Sequence, residues 1–456
     1  MDESVSDKIQ NRANYNYSYI VIVSVIAAMG GLLFGYDLGI ITGAIPFLQR
    51  QFNIDGFSLG WVVAIFELGC MAGTFLTAYL ADKLGRKKSM LCIAAYFIVT
   101  TTGVAFSQNT FQLTIGRFLQ GAGVGAASIL CPMYIAEIAP SKIRGRLVSI
   151  NQLTIILGIL LATIASYYYG DPDNLESWRW MFGFAIIPSI VFFFALNVIP
   201  ESPRWLINKN YDIKAKSTLL KIGDSRFAEY EFEQIQKSLS KKEKAITYKK
   251  MFTKPILPVL MMGFGIATIQ QFSGSNNVTA YLQVIFEKAN ISIRDGLFNA
   301  VFVGLIFFIF TILAIFLIDK IGRRKLMIFG TFFMAVFLFL LAWSFNSYAI
   351  NGKIVFVFVL CFIATYAFTL APVTWVLLSE IFPNRVRGRA LSLSSAVLWL
   401  SCFLVVLVSP YLLKISPVIN FIIFGVFNLF GMLFFWRFVP ETKGKSLEQI
   451  ETMLIK

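Results

Sequence analysis

Long apolar segments recur along the whole chain, and they restrict its fold more than any other feature of the sequence. Each is about 20 residues or longer, enough for an α-helix to cross a hydrocarbon core about 30 Å thick. Backbone polar groups in lipid must be bonded within their own segment, so each span is expected to be helical. The sequence therefore predicts an all-α membrane protein with twelve transmembrane helices, at residues 19–45, 59–80, 89–108, 111–136, 147–169, 179–199, 255–286, 297–318, 326–347, 353–379, 390–413 and 417–438.

The chain contains no histidine, which narrows the chemistry that it can perform. Histidine is the commonest metal ligand and the usual proton carrier near neutral pH, so any proton chemistry must depend on carboxylates. The sequence offers no nucleophile–base pair, and GAGVG at 121–125 lies within a span, where small residues permit close helix packing. We therefore expect neither an enzyme nor a cofactor. We also expect no metal and only free, buried, inert thiols, because no CxxC pair occurs among Cys70, Cys92, Cys131, Cys361 and Cys402.

The net charge of +15 is concentrated in loops that twelve spans would place on one side of the membrane. The loop at 171–177, on the other side, has no Lys or Arg. Cytoplasmic loops are enriched in Lys and Arg, so we expect both termini in the cytoplasm and the protein in the inner or plasma membrane of a cell. The charge is thus explained without nucleic-acid binding. The basic loops are 82–89, 141–146, 200–252, 319–325, 384–389 and 443–445.

Three loop motifs occur twice, in the same order and at nearly constant separation. The first half contains DKLGRKKSM, EIAPSKIRGR and PESPR. The second half contains the corresponding motifs DKIGRRKLM, EIFPNRVRGR and PETKG. Such a repeat is typical of transporters built from two similar six-helix bundles. We predict bundles at 1–199 and 253–440, a cytoplasmic tail at 441–456, and a linker at 200–252 that forms short amphipathic helices, with a disordered linker as the alternative.

The repeated loops carry acids and bases at matched places. Two halves that rock about a central site need contacts that form in one state and break in the other. We interpret these charges as a cytoplasmic latch; the alternative is that they only fix topology and solvate the loop ends. The latch residues are Asp82, Arg86, Glu137, Arg144 and Arg146 in the first half, and Asp319, Arg323, Glu380, Arg387 and Arg389 in the second.

Seven motifs, taken together and in order, resemble the sugar-porter family of the major facilitator superfamily. They are GRKKS, PESPRWL, GRFLQGAGVG, PMYIAEIAP, QQFSG, LLSEIFPNRVRGRA and VPETKGKSLEQIE. That family includes bacterial proton-coupled xylose, galactose and arabinose symporters and animal facilitative glucose transporters. The resemblance implies the major facilitator fold, with two pseudo-symmetric bundles and a central monosaccharide site that opens alternately to each side.

Amides in the seventh span are the first candidates for binding a sugar. Sugar hydroxyls both donate and accept hydrogen bonds, and amides can satisfy both roles. Gln270, Gln271 and Asn276 would be costly in a membrane unless they face a wet cavity or another helix. The resemblance implies that all three hydrogen-bond the sugar; the alternative is that they only join helices. Gly274, between them, is expected to loosen the helix.

The resemblance implies four further site residues in other parts of the chain. Gln152 corresponds to a sugar-binding glutamine, Trp375 and Phe34 correspond to aromatic residues of the site, and Tyr281 corresponds to a tyrosine that covers it from outside. Several positions depart from the pattern of the family, which leaves the identity of the sugar open. These positions are Phe307, Leu398 and Cys402, where polar residues are common, and Ser275 and Ala280.

Asp37 in LLFGYDLGII and Arg117 in TIGRFLQGAGVG would each be costly alone within lipid, and together they could neutralise each other. In proton-coupled members of the family an Asp in GYD pairs with an Arg in GR, whereas facilitative glucose transporters carry Asn there. The resemblance implies that Asp37 takes up the coupling proton and thereby frees Arg117; a purely structural ion pair is the alternative. Glu67 is another acid within a span, and the resemblance gives it no role.

The function that these features favour is import of a monosaccharide together with a proton by alternating access. An uncoupled transporter of a sugar or of a polyol such as inositol is the main alternative. A sugar-sensing receptor is a remote one, because only a short tail follows Pro440. The expected partners are the sugar, protons and the lipid bilayer, without nucleic acid, and the expected functional unit is a monomer.

Overall fold

A computed structural model describes residues 14–140, 143–240, 251–254, 256–346, 350–383, 386–445 and 447–454. Twelve spans in this part of the chain are long and apolar enough to cross a membrane, which confirms the predicted all-α fold. The first six spans contain α1 (Tyr17–Phe52), α2 (Gly56–Leu84), α3 (Arg86–Ala105), α4 (Thr110–Ile138), α5 (Arg144–Tyr169), and the pair α6 (Ser177–Gly183) and α7 (Ile186–Ala195).

Short helices occupy the segment between the two sets of spans. They are α8 (Pro203–Asn208), α9 (Asp212–Ile222) and α10 (Ser225–Ser240), and residues 241–250 of the predicted linker lie outside the described part. The start of the chain is attached to this segment, because Asn16 N–H donates to the carbonyl of Ile222 at 2.9 Å and Asn14 N–H donates to Asp224 at 3.2 Å.

The last six spans repeat the arrangement with two interruptions. Gly274, with a φ of +85°, separates the two helices of the seventh span, and Thr369 separates those of the tenth. The helices are α11 (Ile256–Phe272), α12 (Ser275–Ala280), α13 (Leu282–Lys288), α14 (Ile293–Ile321), α15 (Arg323–Asn346), α16 (Gly352–Phe368), α17 (Leu370–Ile381), α18 (Arg387–Ile415), α19 (Pro417–Phe438) and α20 (Leu447–Leu454).

The repeated PESPR and PETKG motifs place a carboxylate over the start of a helix in each half. Glu201 accepts the backbone N–H of Arg86 at 2.8 Å, and Glu441 accepts that of Arg323 at 2.9 Å. Gly85 and Gly322 precede these helices with φ values of +92° and +102°, and a Cβ on either would collide with the carboxylate. The joint occurrence of the GR and PE motifs in each half therefore has a structural explanation. The glycine leaves room for the carboxylate, and the carboxylate caps the start of the helix.

Small residues bring α2 and α4 into close contact. A Cβ added to Gly121 would lie 2.0 Å from the carbonyl oxygen of Phe66, and one added to Gly125 would lie 2.0 Å from that of Cys70. The backbones therefore approach more closely than any larger residue allows, as is common at helix interfaces in membranes. This contact sets the separation between Glu67 on α2 and Arg117 on α4.

The two halves meet at the end of the molecule opposite the termini. Lys414 Nζ lies 2.7 Å from Asp55 Oδ2, Arg294 donates to the carbonyl of Tyr167 at 2.8 Å, and the Thr42 hydroxyl donates to the carbonyl of Thr279 at 2.8 Å. Each of these contacts joins the first six spans to the last six. The structure is therefore closed between the halves at this end.

Candidate functional site

Three charged side chains are buried among α1, α2 and α4. Asp37 is 2% exposed, Glu67 5% and Arg117 1%. Burial of an ionised group costs several kcal/mol unless partners replace its hydration. The arrangement of these partners therefore determines which charges the cluster can hold.

An amide lies between Asp37 and Arg117. Arg117 Nη1 donates to Gln120 Oε1 at 3.0 Å, and Gln120 Nε2 donates to Asp37 Oδ1 at 3.0 Å. Gln120 Nε2 is also 3.3 Å from the hydroxyl of Thr101. The sequence predicted the two charged residues as partners but not the residue between them. The three-residue spacing of Arg117 and Gln120, which puts both on one face of a helix, was the available signal.

Arg117 also lies against aromatic rings. Its guanidinium carbon is 4.2 Å from the ring centroid of Phe66 and 5.6 Å from that of Phe182. Such faces stabilise a cation that is out of reach of water. Phe66 immediately precedes Glu67, so the turn of α2 that supplies a ring to Arg117 also carries a buried carboxylate.

Glu67 faces away from solvent and connects this cluster to the second half of the molecule. Its Oε2 has no hydrogen-bond partner among the described residues. The carboxyl is within hydrogen-bonding reach of the Cys402 thiol on α18. Cys402 is a free, buried thiol, as expected, and its sulfur lies between two polar side chains.

The amides of the seventh span are close together beside the break at Gly274. Gln270 Nε2 donates to the Tyr366 hydroxyl at 2.8 Å, and Asn276 Nδ2 donates to Gln271 Oε1 at 2.5 Å. Gln270 Oε1 is buried with no partner among the described residues. An acceptor left unpaired in this way is costly unless a donor such as a sugar hydroxyl occupies the space.

Asn276 links the amides to the charged cluster. Its Nδ2 lies 3.0 Å from Cys402 Sγ, and Cys402 in turn reaches Glu67. Side chains of α11, α12, α18 and α2 are thus joined in one polar chain. This connection could not be predicted from the sequence, because Cys402 and Glu67 lie 335 positions apart.

The aromatic candidates differ in their surroundings. The Tyr281 hydroxyl donates to the carbonyl of Val406 at 2.7 Å, and this side chain is fully buried. The ring of Phe34 lies 6.1 Å from that of Trp399, whereas Trp375 is 42% exposed. Gln152, on α5, is half-buried. The structure therefore places Tyr281 and Phe34 in packed surroundings and leaves Trp375 and Gln152 accessible.

Two of the positions that depart from the family pattern are buried apolar residues, and Phe307 lies beside a partner of the amides. The ring of Phe307 lies 5.8 Å from that of Tyr366, the hydroxyl partner of Gln270. Leu398 is buried next to Trp399. Tyr366 was not among the predicted site residues; its hydroxyl in the apolar run CFIATYAF was the signal for it.

The predicted latch residues form ion pairs inside each half. Arg86 lies 2.9 Å from Glu137 and 3.4 Å from Asp82. At the matching places of the second half, Arg323 lies 3.1 Å from Glu380 and 2.7 Å from Asp319. These four contacts hold the loops of one bundle together and do not connect the bundles.

The other latch arginines lie at the starts of α5 and α18. Arg144 Nε donates to the carbonyl of Ala139 at 3.4 Å, and Arg387 Nε donates to that of Phe382 at 3.2 Å, so the two halves again match. Burial raises the pKa of Glu231 on α10, and the nearby Arg144 guanidinium opposes that shift. Arg144 thus faces the linker helices. Arg146 is exposed and Arg389 is half-buried.

The cysteines are free, as expected, but not all are buried. Cys70, Cys131 and Cys402 are buried, Cys361 is half-buried and Cys92 is exposed on α3. The expectation of burial is therefore wrong for Cys92, because an apolar span in a membrane needs no protein neighbour on every face.

Comparison with known proteins decides the family. Residues 23–454 match the family model described as "Sugar (and other) transporter". The chain belongs to this sugar transporter family. It is 35% identical to the arabinose-proton symporter of Bacillus subtilis (strain 168) and 36% identical to the D-xylose-proton symporter of Escherichia coli (strain K12). These alignments cover 97% of both chains and 96% of both chains, respectively.

Two further similarities concern substrate range and conformation. The transporter is 34% identical to the major myo-inositol transporter of B. subtilis (strain 168), over 97% of its own length and 95% of the relative's. Its fold is similar to the inward-open conformation of the xylose transporter from E. coli, with a TM-score of 0.84 and 35% identity over 95% of this chain and 99% of that one. The transporter is therefore a multi-pass membrane protein of the same fold.

Proposed function

We propose that this transporter imports a monosaccharide together with a proton by alternating access. The observation that carries the proposal is the buried cluster of Asp37, Gln120 and Arg117, which can hold a proton away from solvent. An acid in this environment would be costly as a mere structural element, since an apolar side chain would pack α1 against α4 without any desolvation penalty. The names of the arabinose and xylose relatives support the same function.

The sugar would bind at the break of the seventh span. Gln270, Gln271 and Asn276 would supply donors and acceptors, and the unpaired Oε1 of Gln270 marks a place for a hydroxyl donor. Gln152 and Trp375 would contact the sugar from the opposite bundle and from α17. Phe34 and Tyr281 would shape the site through packing, because both lie among other residues.

In this mechanism Asp37 binds a proton when the site is open to the outside and releases it on the cytoplasmic side. Protonation removes a negative charge that the Gln120 amide and the Arg117 guanidinium stabilise, so the contacts between α1 and α4 change. The closure described above, at the end opposite the termini, supports a cytoplasm-open state in which the proton and the sugar can leave.

Uptake by purified protein in liposomes tests this function. Labelled D-xylose, L-arabinose, D-glucose, D-galactose and myo-inositol are offered with and without an imposed pH gradient, acidic outside. Accumulation of one of these sugars above its external concentration, dependent on the gradient, is the expected result. Equilibration of a sugar to the same level with and without the gradient would instead identify an uncoupled transporter.

An uncoupled carrier of a polyol is the second candidate. The similarity to a myo-inositol transporter favours it. Inositol in the same panel distinguishes the two functions directly.

We further propose that both termini are cytoplasmic, that the protein resides in the inner or plasma membrane, and that it functions as a monomer without nucleic acid. The Lys and Arg of the repeated loops support this orientation. In this orientation, ion pairs stabilise the cytoplasmic end of each bundle. They join Arg86 to Asp82 and Glu137 in the first half, and Arg323 to Asp319 and Glu380 in the second. Arg144, Arg146, Arg387 and Arg389 would complete the latch when the cytoplasmic side closes.

A further inference from the structure

Glu67 is a buried acid to which the proposed mechanism gives no role. It lies on the turn of α2 that also carries Phe66, whose ring is stacked on Arg117 at 4.2 Å. One carboxylate oxygen of Glu67 has no hydrogen-bond partner among the described residues, although the side chain is only 5% exposed. Close approach of α2 to α4 at Gly121 and Gly125 brings the turn that carries this acid against α4, the helix of Arg117.

The cluster contains two acids and one base in a region that excludes water. If Asp37 and Glu67 were both ionised, one negative charge would be buried without compensation, which is costly. One proton shared between the two acids makes the cluster neutral. With that proton on Asp37, Glu67 is the ionised partner of Arg117; once the proton is lost, the cluster carries one net negative charge, which favours uptake of the next proton.

We propose that Glu67 is the counter-ion of Arg117 whenever Asp37 is protonated during transport, an inference that rests on the proposed proton–sugar symport. When a proton from outside binds the Asp37 carboxylate, the cluster becomes neutral and Arg117 remains neutralised by Glu67. When that proton leaves to the cytoplasm through the open side, both acids are ionised and Arg117 interacts with Asp37 through Gln120 as well. Glu67 thus allows Asp37 to become protonated without leaving a buried, unpaired guanidinium.

The position of Glu67 also connects this exchange to the sugar site. Its carboxyl reaches the Cys402 thiol, which lies 3.0 Å from Asn276, and Asn276 is bonded to Gln271. A sugar that engages Asn276 alters the hydrogen bond to Cys402 and therefore the environment of Glu67. Binding of sugar and binding of the proton would then favour each other, as linkage requires of any coupled pair of sites.

The surroundings of Glu67 contain few other ionisable groups. Arg117 interacts with it from α4, Cys402 from α18, Tyr281 from the link between α12 and α13, and Cys70 from its own helix. Among the described groups that interact with Glu67, Arg117 is the cation. A change in the pH dependence after mutation of Glu67 can therefore be assigned to this cluster.

The test is the dependence of uptake on external pH in liposomes at fixed internal pH, with whichever sugar of the panel the wild type concentrates most. In Glu67→Gln, protonation of Asp37 leaves Arg117 unbalanced, so a higher proton concentration is needed. The pH of half-maximal uptake should fall by about one unit or more, a tenfold difference in proton concentration. Glu67→Asp, which keeps the charge, should restore the wild-type profile; Glu176→Gln, an exposed acid, is the matched control.

The outcomes separate the inference from the function on which it rests. A wild type that accumulates no sugar on a pH gradient overturns the proposed symport. A wild type that accumulates sugar, together with a Glu67→Gln protein of unchanged pH profile, overturns the role of Glu67 as counter-ion and leaves symport intact.

A second measurement does not depend on the folding of Glu67→Gln. The ratio of the sugar dissociation constants at high and low pH reports the coupling between sugar and proton, which is about 5- to 150-fold in typical coupled systems. Cys402→Ala breaks the link between Glu67 and Asn276 and should bring this ratio close to one, while Cys402→Ser keeps a hydrogen-bonding group and should preserve it. Equal ratios in wild type and Cys402→Ala would exclude this path.

Discussion

The side chain of Gln120 has an orientation that follows from the charges on either side of it. Its amide oxygen accepts from Arg117 and its amide nitrogen donates to Asp37, so the cation meets an acceptor and the anion meets a donor. A direct ion pair would bind the two charges more strongly and would be harder to open. The amide keeps them apart while satisfying both, which suits a carboxylate that must gain and lose a proton.

Asp37→Asn tests the role of that carboxylate, because it keeps the shape of the side chain and removes its titration. The variant should bind and exchange sugar across the membrane but should not concentrate it on a pH gradient. Removal of one partner from a buried charged pair typically costs about 3–5 kcal/mol, although Glu67 would offset part of this cost. Counterflow of labelled sugar, together with thermal unfolding in detergent, checks both expectations. A folded Asp37→Asn protein that still concentrates sugar would remove Asp37 from the coupling step.

Gln120→Leu tests the amide bridge. The substitution preserves most of the volume but leaves Asp37 Oδ1 and one Arg117 donor unpaired, a loss of about 1–3 kcal/mol in stability. We expect a lower unfolding temperature and weaker proton-driven accumulation than in the wild type. Gln112→Leu on the same helix is the control, since Gln112 is exposed and accepts only the backbone N–H of Gln108. Equal stability of the two variants would show that the bridge contributes little.

At the scale of single helices, α2 and α4 form the contact on which the charged cluster depends. Gly121 and Gly125 lie one turn apart on α4 and each meets a carbonyl of α2. The interface therefore has no room for a side chain, and it fixes the height of Glu67 relative to Arg117. The GAGVG sequence is explained by packing, as its position within a span predicted.

Gly125→Ala should disrupt this interface. The new Cβ would lie 2.0 Å from the carbonyl oxygen of Cys70, so α2 and α4 must separate, and overpacking of this kind typically costs about 1–3 kcal/mol. We expect a lower unfolding temperature and reduced accumulation, because Arg117 moves away from Phe66 and Glu67. Gly103→Ala is the matched control, since a Cβ at Gly103 meets no atom within 4 Å. Unchanged unfolding of Gly125→Ala would show that the helices can adjust freely.

The sequence was informative about elements and less so about contacts between them. Apolar runs and repeated loops predict the twelve spans and their two sets, because both patterns are local in the chain. The break at Thr369 has no such pattern, and the expected first span stops at residue 45 although α1 continues through Pro46 to Phe52. Residue types and spacing alone do not specify how distant helices pack. For this reason the sequence did not predict the roles of Gln120 and Tyr366 or the contact of Cys402 with Glu67.

On the scale of the whole molecule, the two ends of the bundle pair are held differently. Three contacts join the halves at the end opposite the termini: Lys414 with Asp55, Arg294 with Tyr167, and Thr42 with Thr279. At the other end, Arg86 and Arg323 bind acids of their own half. Alternating access requires the contacts between the halves to break when the end that carries the termini closes. The stability of these contacts therefore contributes to the equilibrium between the two conformations.

The Lys414–Asp55 pair gives the simplest test of this balance. Both side chains are more than half exposed, so the pair contributes about 1 kcal/mol or less, a few-fold change in population. Lys414→Ala should therefore shift the transporter toward the state that is open opposite the termini, without a large change in sugar affinity. A single cysteine placed beside Gly60, which packs against the backbone of Leu407, would report this shift through a faster reaction with a thiol reagent. The exposed Cys92 is replaced in the background protein so that it does not react.

The double exchange Asp55→Lys with Lys414→Asp restores opposite charges and should return the labelling rate toward that of the wild type. If the exchanged protein reacts as fast as Lys414→Ala, the packing of Lys414, and not its charge, holds this end closed.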